Sequence, residues 1–135
     1  DPDRCAVAAL YHDASEILTG DLPTPIKYYN PEIKTAYKQV ERVAGERLLN
    51  MLPPELRASY AHDVLEDNEA LAPIVKGADK LSAHIKCLEE QKAGNTEFDT
   101  AARQTWEAIQ TMNRPELDWF VEHCLGSFTL NLDQL

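Results

Sequence analysis

Apolar residues return along most of this chain at three- and four-residue steps, with Gly and Pro as punctuation. The clearest case follows Asn30-Pro31. There Ile33, Ala36, Tyr37, Val40, Ala44, Leu48 and Met51 mark one side, while Lys34, Lys38, Glu41, Arg42 and Glu46 lie outside it. The pattern predicts an amphipathic helix of about five turns, capped by Asn30 and ended by Pro53-Pro54. Upstream, Asp1-Pro2 is a helix start, with an acidic cap and a proline in the first turn. Cys5 to Tyr11 is apolar all the way round, a pattern of helices packed on every side by others. His12 and Asp13 would then be presented deep in the fold, at the C-terminal end of a central helix. Gly20, Pro23 and Pro25 force a loop after it.

Beyond Pro54, residues Glu55 to Tyr60 suit a short helix, and His62 to Asp67 carry little signal. Asn68 can cap a long helix reaching Ala93, with Leu71, Ile74, Val75, Ala78, Leu81, Ile85 and Leu88 as its stripe and Gly94-Asn95 as its stop. Asp79 falls beside that stripe, about 40° from Val75 at 100° per residue. His84 falls on the opposite side of the helix from Asp79 and reads as a surface histidine. Thr96 to Met112 forms a further helix, broken at Asn113-Arg114-Pro115, and Glu116 to Leu125 a last one. Phe128, Leu130 and Leu132 alternate with polar residues, which predicts an extended tail lying in a groove. The class is all-α, a compact helical bundle of five to six helices, and the 135 residues fit one domain, 1–135, with one core.

Composition narrows the function classes. Hydrophobic residues make up 44% and charged residues 27%, the balance of a soluble globular chain. No apolar run is long enough to span a bilayer. Asp1-Pro2-Asp3-Arg4 lacks the order of a secretion signal, so a cytoplasmic protein is expected. The net charge of −10 repels nucleic-acid backbones and anionic membranes, which argues against both as partners. A small anionic substrate fits if positive charge is supplied locally, as a divalent cation would do. Cys5, Cys87 and Cys124 are odd in number and far apart, so reduced, buried thiols are expected rather than disulfides or a zinc site.

The stretch richest in chemistry is Tyr11-His12-Asp13-Ala14-Ser15-Glu16-Ile17-Leu18-Thr19-Gly20-Asp21-Leu22-Pro23-Thr24-Pro25. A metal-binding residue type stands beside a carboxylate, with Glu16 three residues on and Asp21 in the loop. Helical neighbours point 100° apart and share a metal poorly in mid-helix. At a helix end, a metal can sit between His12 and Asp13 while a third ligand comes from elsewhere, and Asp79 is the best candidate. A carboxylate at the edge of a buried stripe needs a cation or several donors nearby. On pattern alone, a core histidine and solvated loop acids account for these residues better.

The motif, continued by Ile26-Lys27-Tyr28, resembles the signature of the HD-domain phosphohydrolases, and most closely the YfbR-like bacterial 5′-deoxynucleotidases. Two further blocks resemble that family in the same order: Val75-Lys76-Gly77-Ala78-Asp79-Lys80-Leu81 with Lys86-Cys87-Leu88-Glu89-Glu90, and Gly126-Ser127-Phe128-Thr129-Leu130-Asn131-Leu132-Asp133. The resemblance implies an all-helical HD domain holding one divalent metal cation, cobalt, manganese or similar. It implies His12, Asp13 and Asp79 as metal ligands, and Glu16 with Asp13 as the catalytic pair. Asp21, Leu22, Pro23 and Thr24 would form the substrate loop, with Asp13 and Asp79 also touching substrate. The implied reaction is hydrolysis of deoxyribonucleoside 5′-monophosphates to deoxynucleoside and phosphate, by a homodimer.

One departure stands out. The family's first metal histidine, its phosphate-orienting arginine and a tryptophan beside the sugar lie on an earlier helix, and no histidine precedes His12 here. The chain is therefore expected to represent the C-terminal two-thirds or so of the family's domain, without its N-terminal helices. His62, His84 and His123 are poor substitutes for the missing ligand. Two alternatives stay open: another HD-type nucleotide phosphohydrolase, or an incomplete HD domain that only binds nucleotide or a protein partner.

Overall fold

The computed structural model describes residues 1–27, 29–65 and 68–134. Tyr28 of the signature, Glu66, Asp67 and Leu135 lie outside it, as do the side chains of Thr24, Pro25 and Leu132. Every regular element among the described residues is helical, in agreement with the expected all-α class. The chain divides into two compact units, Asp1–Ala72 and Pro73–Leu135.

In the first unit, α1 (Pro2–Tyr11) is capped by the Asp1 carboxylate, which accepts from the Asp3 and Arg4 amides. Short helices α2 (Glu16–Thr19) and α3 (Thr24–Lys27) follow, then α4 (Pro31–Met51) and α5 (Pro54–Val64). Asn30 caps α4 by accepting from the Ile33 amide, and α5 runs past Tyr60 to take in His62 and Asp63. Helix α4 is the hub, packing against α5, α2 and α3. Its buried residues are Ala44, Gly45 and Leu49, whereas Val40 and Met51 of the expected stripe are largely exposed. The cause is Gly45. A Cβ there would stand 3.0 Å from Leu65 Cδ2 and 3.2 Å from the Val64 carbonyl oxygen, so α5 closes onto α4 where no side chain intervenes.

Helix α1 departs from expectation too. No residue of it is buried and Leu10 is 77% exposed, because its packing comes from α5 on one side rather than from neighbours all round. What joins the two is largely polar. Arg4 reaches Asp63 with two guanidinium nitrogens, at 2.9 Å and 3.5 Å, and the Asp63 side chain is only 4% exposed. Tyr11 meets Tyr60 edge to face, with ring centroids 5.8 Å apart.

In the second unit, α6 (Ala72–Lys92) leads through a 3-10 turn (Thr96–Phe98) to α7 (Asp99–Thr111), then α8 (Pro115–His123). Leu81, Ile109, Leu117 and Leu125 form its core, bordered by Ile85, Leu88, Trp106, Met112, Phe120 and Val121. The line of α6 that faces this core passes through Gly77, Leu81 and His84. A methyl group on Gly77 would overlap Leu117, so the glycine again marks a close approach. His84 is thus a buried residue and not a surface one. The Thr105 hydroxyl donates to the α7 backbone at Ala101 and Ala102, which leaves its oxygen to accept from His84 Nδ1 at 2.9 Å, while the imidazole lies 5.4 Å from the Trp106 ring. The tail is 3-10 helical at Leu125–Thr129 and Leu132–Gln134, not extended. Leu125 and Phe128, three residues apart, share a side of such a helix, and Phe128 stacks on Phe120 at 6.3 Å. The three cysteines are free thiols, with Cys87 buried and Cys5 and Cys124 half-buried.

Two stability predictions follow from these contacts. Arg4→Met strands the Asp63 carboxylate. The cost should be about 1–3 kcal/mol, between that of an exposed and a fully buried pair, read as a lower denaturant midpoint. An unchanged midpoint would mean the pair contributes nothing. For His84, burial lowers the pKa from the ordinary 6.5, outweighing the opposing hydrogen bond with the Ala102 backbone. The unfolded chain therefore binds this proton more readily than the folded one. Stability is full above the unfolded value and declines as pH falls below it. Denaturation at about pH 7.5 and about pH 5.5 should show the decline, and His84→Gln should flatten it.

Candidate active site

Helix α1 ends at Tyr11, and His12 continues in helical conformation as its C-cap, with φ −58° and ψ −28°. Turn hydrogen bonds from the Ala14 amide to Tyr11 (2.9 Å) and from the Glu16 amide to Asp13 (2.9 Å) carry the chain directly into α2. His12, Asp13 and Glu16 are thereby set close together on one bend of backbone. Gly20 then takes φ +71°, which L side chains rarely adopt, and α2 stops.

His12 is held through one of its two ring nitrogens. Its Nδ1 lies 2.7 Å from the Ala9 carbonyl oxygen, which can only accept, so Nδ1 carries the hydrogen. In the neutral ring the lone pair is then on Nε2. That atom is buried without a hydrogen-bond partner, and it stands 3.0 Å from Asp13 Oδ2. The distance is that of an ion pair but the angle is not that of a hydrogen bond. Two acceptors facing each other at this range repel unless positive charge lies between or beside them. A metal-binding histidine typically donates its other N–H to a carbonyl and offers the free nitrogen to the cation. The two donors present, an imidazole nitrogen and a carboxylate oxygen, suit a divalent transition metal. Within either unit, the described residues gather no three such side chains. His12 and Asp13 bring together two donor atoms of the kinds a metal takes.

Glu16 sits four-fifths buried beside them. Burial raises its pKa, the Asp13 and Asp21 carboxylates add to the rise, Lys27 opposes it and Glu41 adds again. The side chain is thus poised to hold a proton more readily than an ordinary glutamate. Asp21 and Pro23 are exposed and Leu22 is half-buried, while Thr24 opens α3 with its side chain outside the description. The loop's two ends are fastened to α4. The Gly20 carbonyl accepts from the Tyr37 hydroxyl at 2.9 Å and from the Thr19 hydroxyl at 3.0 Å. Lys27 Nζ is 2.7 Å from Glu41 Oε1, 3.9 Å from Glu16 Oε1, and 5.0 Å above the Tyr37 ring. Burial disfavours the Lys27 charge, but its hydrogen bond to Glu41 and the nearby carboxylates raise its pKa overall.

Asp79 belongs to the second unit. Its side chain is 45% exposed and 3.6 Å from Lys80 Nζ, so it is a solvated acid there rather than one at a buried edge. His62 and His123 are exposed, His123 stacking on Trp119 at 4.6 Å. Sequence reasoning missed Lys27, Tyr37 and Glu41. The available signal was that Lys27 is the sole Lys or Arg between Arg4 and Lys34. Tyr37 and Glu41 are also four residues apart on a helix, and so neighbours on its surface.

A family model described as YfbR-like 5′-deoxynucleotidase matches residues 1–128. A 5′-deoxynucleotidase of Erwinia tasmaniensis is 49% identical over 99% of this chain and 69% of its own length. One from Shewanella oneidensis is 44% identical over 100% of this chain and 70% of its own. A third, from Photorhabdus temperata, is 45% identical over 98% of this chain and 68% of its own.

Proposed function

The chain belongs to the YfbR-like 5′-deoxynucleotidase family, and we propose on that footing that it hydrolyses deoxyribonucleoside 5′-monophosphates. Water and the phosphomonoester give a deoxynucleoside and inorganic phosphate. The observation that carries the reading is His12, with Nδ1 fixed on the Ala9 carbonyl and a buried, unpartnered Nε2 beside the Asp13 carboxylate. His12 and Asp13 would hold one divalent cation, cobalt, manganese or similar, and by likeness to the family's motifs Asp79 would be a further ligand. The chemistry that ion supplies when bound is positive charge toward the phosphoryl oxygens and a lowered pKa for water.

The protein's own groups do the rest. Glu16, set beside Asp13, holds and delivers a proton, a role worth a factor of about 10²–10⁴. Asp13 orients the attacking water. Asp21, Leu22, Pro23 and Thr24 line the substrate, with Asp13 and Asp79 in contact with it. No described helix is long and apolar enough to cross a membrane. A cytoplasmic homodimer is the setting the family likeness supports.

The reading is tested by phosphate release across a substrate panel with added cobalt or manganese. Release from deoxynucleoside monophosphates, and not from di- or triphosphates or cyclic nucleotides, is expected. His12→Ala and Asp79→Ala should each abolish metal binding, measured by calorimetry, along with activity. Retention of both properties in either variant would remove that residue from the ligand set. Glu16→Gln should keep metal binding and lose about 10²–10⁴ in kcat. A loss under tenfold would take the proton-handling role from Glu16.

A further inference from the structure

We propose that Tyr37 and Glu41 are positioning residues for the nucleotide: acting through Gly20 and Lys27, they clamp both ends of the 20–27 segment and hold its loop ready for substrate. The proposal rests on the functional reading above, since it takes Asp21–Thr24 as the substrate loop. The segment cannot hold its own shape. Helix α3 has only four residues, far below the length at which a helix is stable alone, and Gly20 lies in the left-handed region. Its form must be imposed from outside.

Helix α4 imposes it. Tyr37 and Glu41 project from the same side of that helix, one turn apart. The Tyr37 hydroxyl takes the Gly20 carbonyl at 2.9 Å, fixing where the loop begins. Glu41 takes Lys27 at 2.7 Å, fixing where it ends, and the Lys27 ammonium rests over the Tyr37 ring at 5.0 Å, so the tyrosine touches both ends. The same ammonium is 3.9 Å from Glu16, which ties the loop's far end to the proposed proton carrier. Asp13, Glu16, Asp21 and Glu41 crowd this region with negative charge. Lys27 offsets part of it.

Tyr37→Phe removes only a hydroxyl and Glu41→Gln only a charge, so neither need disturb α4. In each, the backbone N–H groups between Gly20 and Lys27, Pro23 and Pro25 having none, should exchange with deuterium faster in the free protein. KM for a deoxynucleoside monophosphate should rise about tenfold with kcat within about twofold. Lys27→Met should raise the exchange rates and KM in the same way, and Lys27→Arg should restore both readouts. Parent-like exchange in the Tyr37 and Glu41 variants would overturn the clamp, and so would a fall in kcat at unchanged KM. If the parent protein releases no phosphate from any monophosphate, the functional reading falls, and the exchange rates alone then decide whether α4 holds the loop.

Discussion

The pair Arg4–Asp63 sets the geometry on which the candidate site depends. Helix α1 buries no residue of its own, so packing alone does not fix its rotation. A nearly buried carboxylate does. Asp63 is desolvated by α5 and needs charge-assisted donors, and the guanidinium fork supplies two of them in one plane. Turning α1 by a single residue would swing Arg4 through 100° and strand the acid. From that anchor the order passes down the helix to Ala9, whose carbonyl holds His12 Nδ1 and therefore aims Nε2. The direction of the proposed ligand is thus set by an ion pair two helical turns away.

A second constraint meets the first from the other side. Gly45 lets α5 lie directly against α4, and α4 carries Tyr37 and Glu41 further up the same helix. The helix that anchors α1 is therefore seated on the helix that anchors the loop. His12 and Asp13 reach the site by way of α1, while Gly20 and Lys27 are held by way of α4. The residues between, Glu16 above all, are placed by both. Small residues at one crossing and polar pairs at the ends achieve this with few large buried side chains.

Much of the fold was legible in the sequence where local chemistry decides it. Asn30-Pro31 did start α4, and Gly94, at φ +83°, stands just beyond the end of α6. Two of the errors share a cause. Periodicity counts apolar side chains, but two crossings here are organised by glycine. Gly45 turned α4 away from its Val40–Met51 side, and Gly77 brought His84 into a core that a hydropathy pattern would deny it. The tail misled because an every-other-residue pattern at 128, 130 and 132 hid a three-residue spacing from Leu125 to Phe128. Within the site, His12, Asp13 and Glu16 were visible because they are consecutive in one motif. Arg4–Asp63 and Lys27–Glu41 were not, because each joins residues brought together only by tertiary packing.

The electrostatics of the site favour the metal reading over a purely organic one. The chain carries a net charge of −10, and the bend from Asp13 to Asp21 adds three carboxylates of its own. A phosphate monoester brings more negative charge to the same place. Lys27, the cation found there, is already shared between Glu41 and Glu16 and lies over an aromatic ring, so little of its field is free. A site that must attract an anion with such lining needs a concentrated positive charge, which a divalent ion held by the proposed ligands would provide. The carboxylates then cease to be an obstacle. They would hold the cation, while the raised pKa of Glu16 comes first from burial, with the Asp13 and Asp21 carboxylates adding to it.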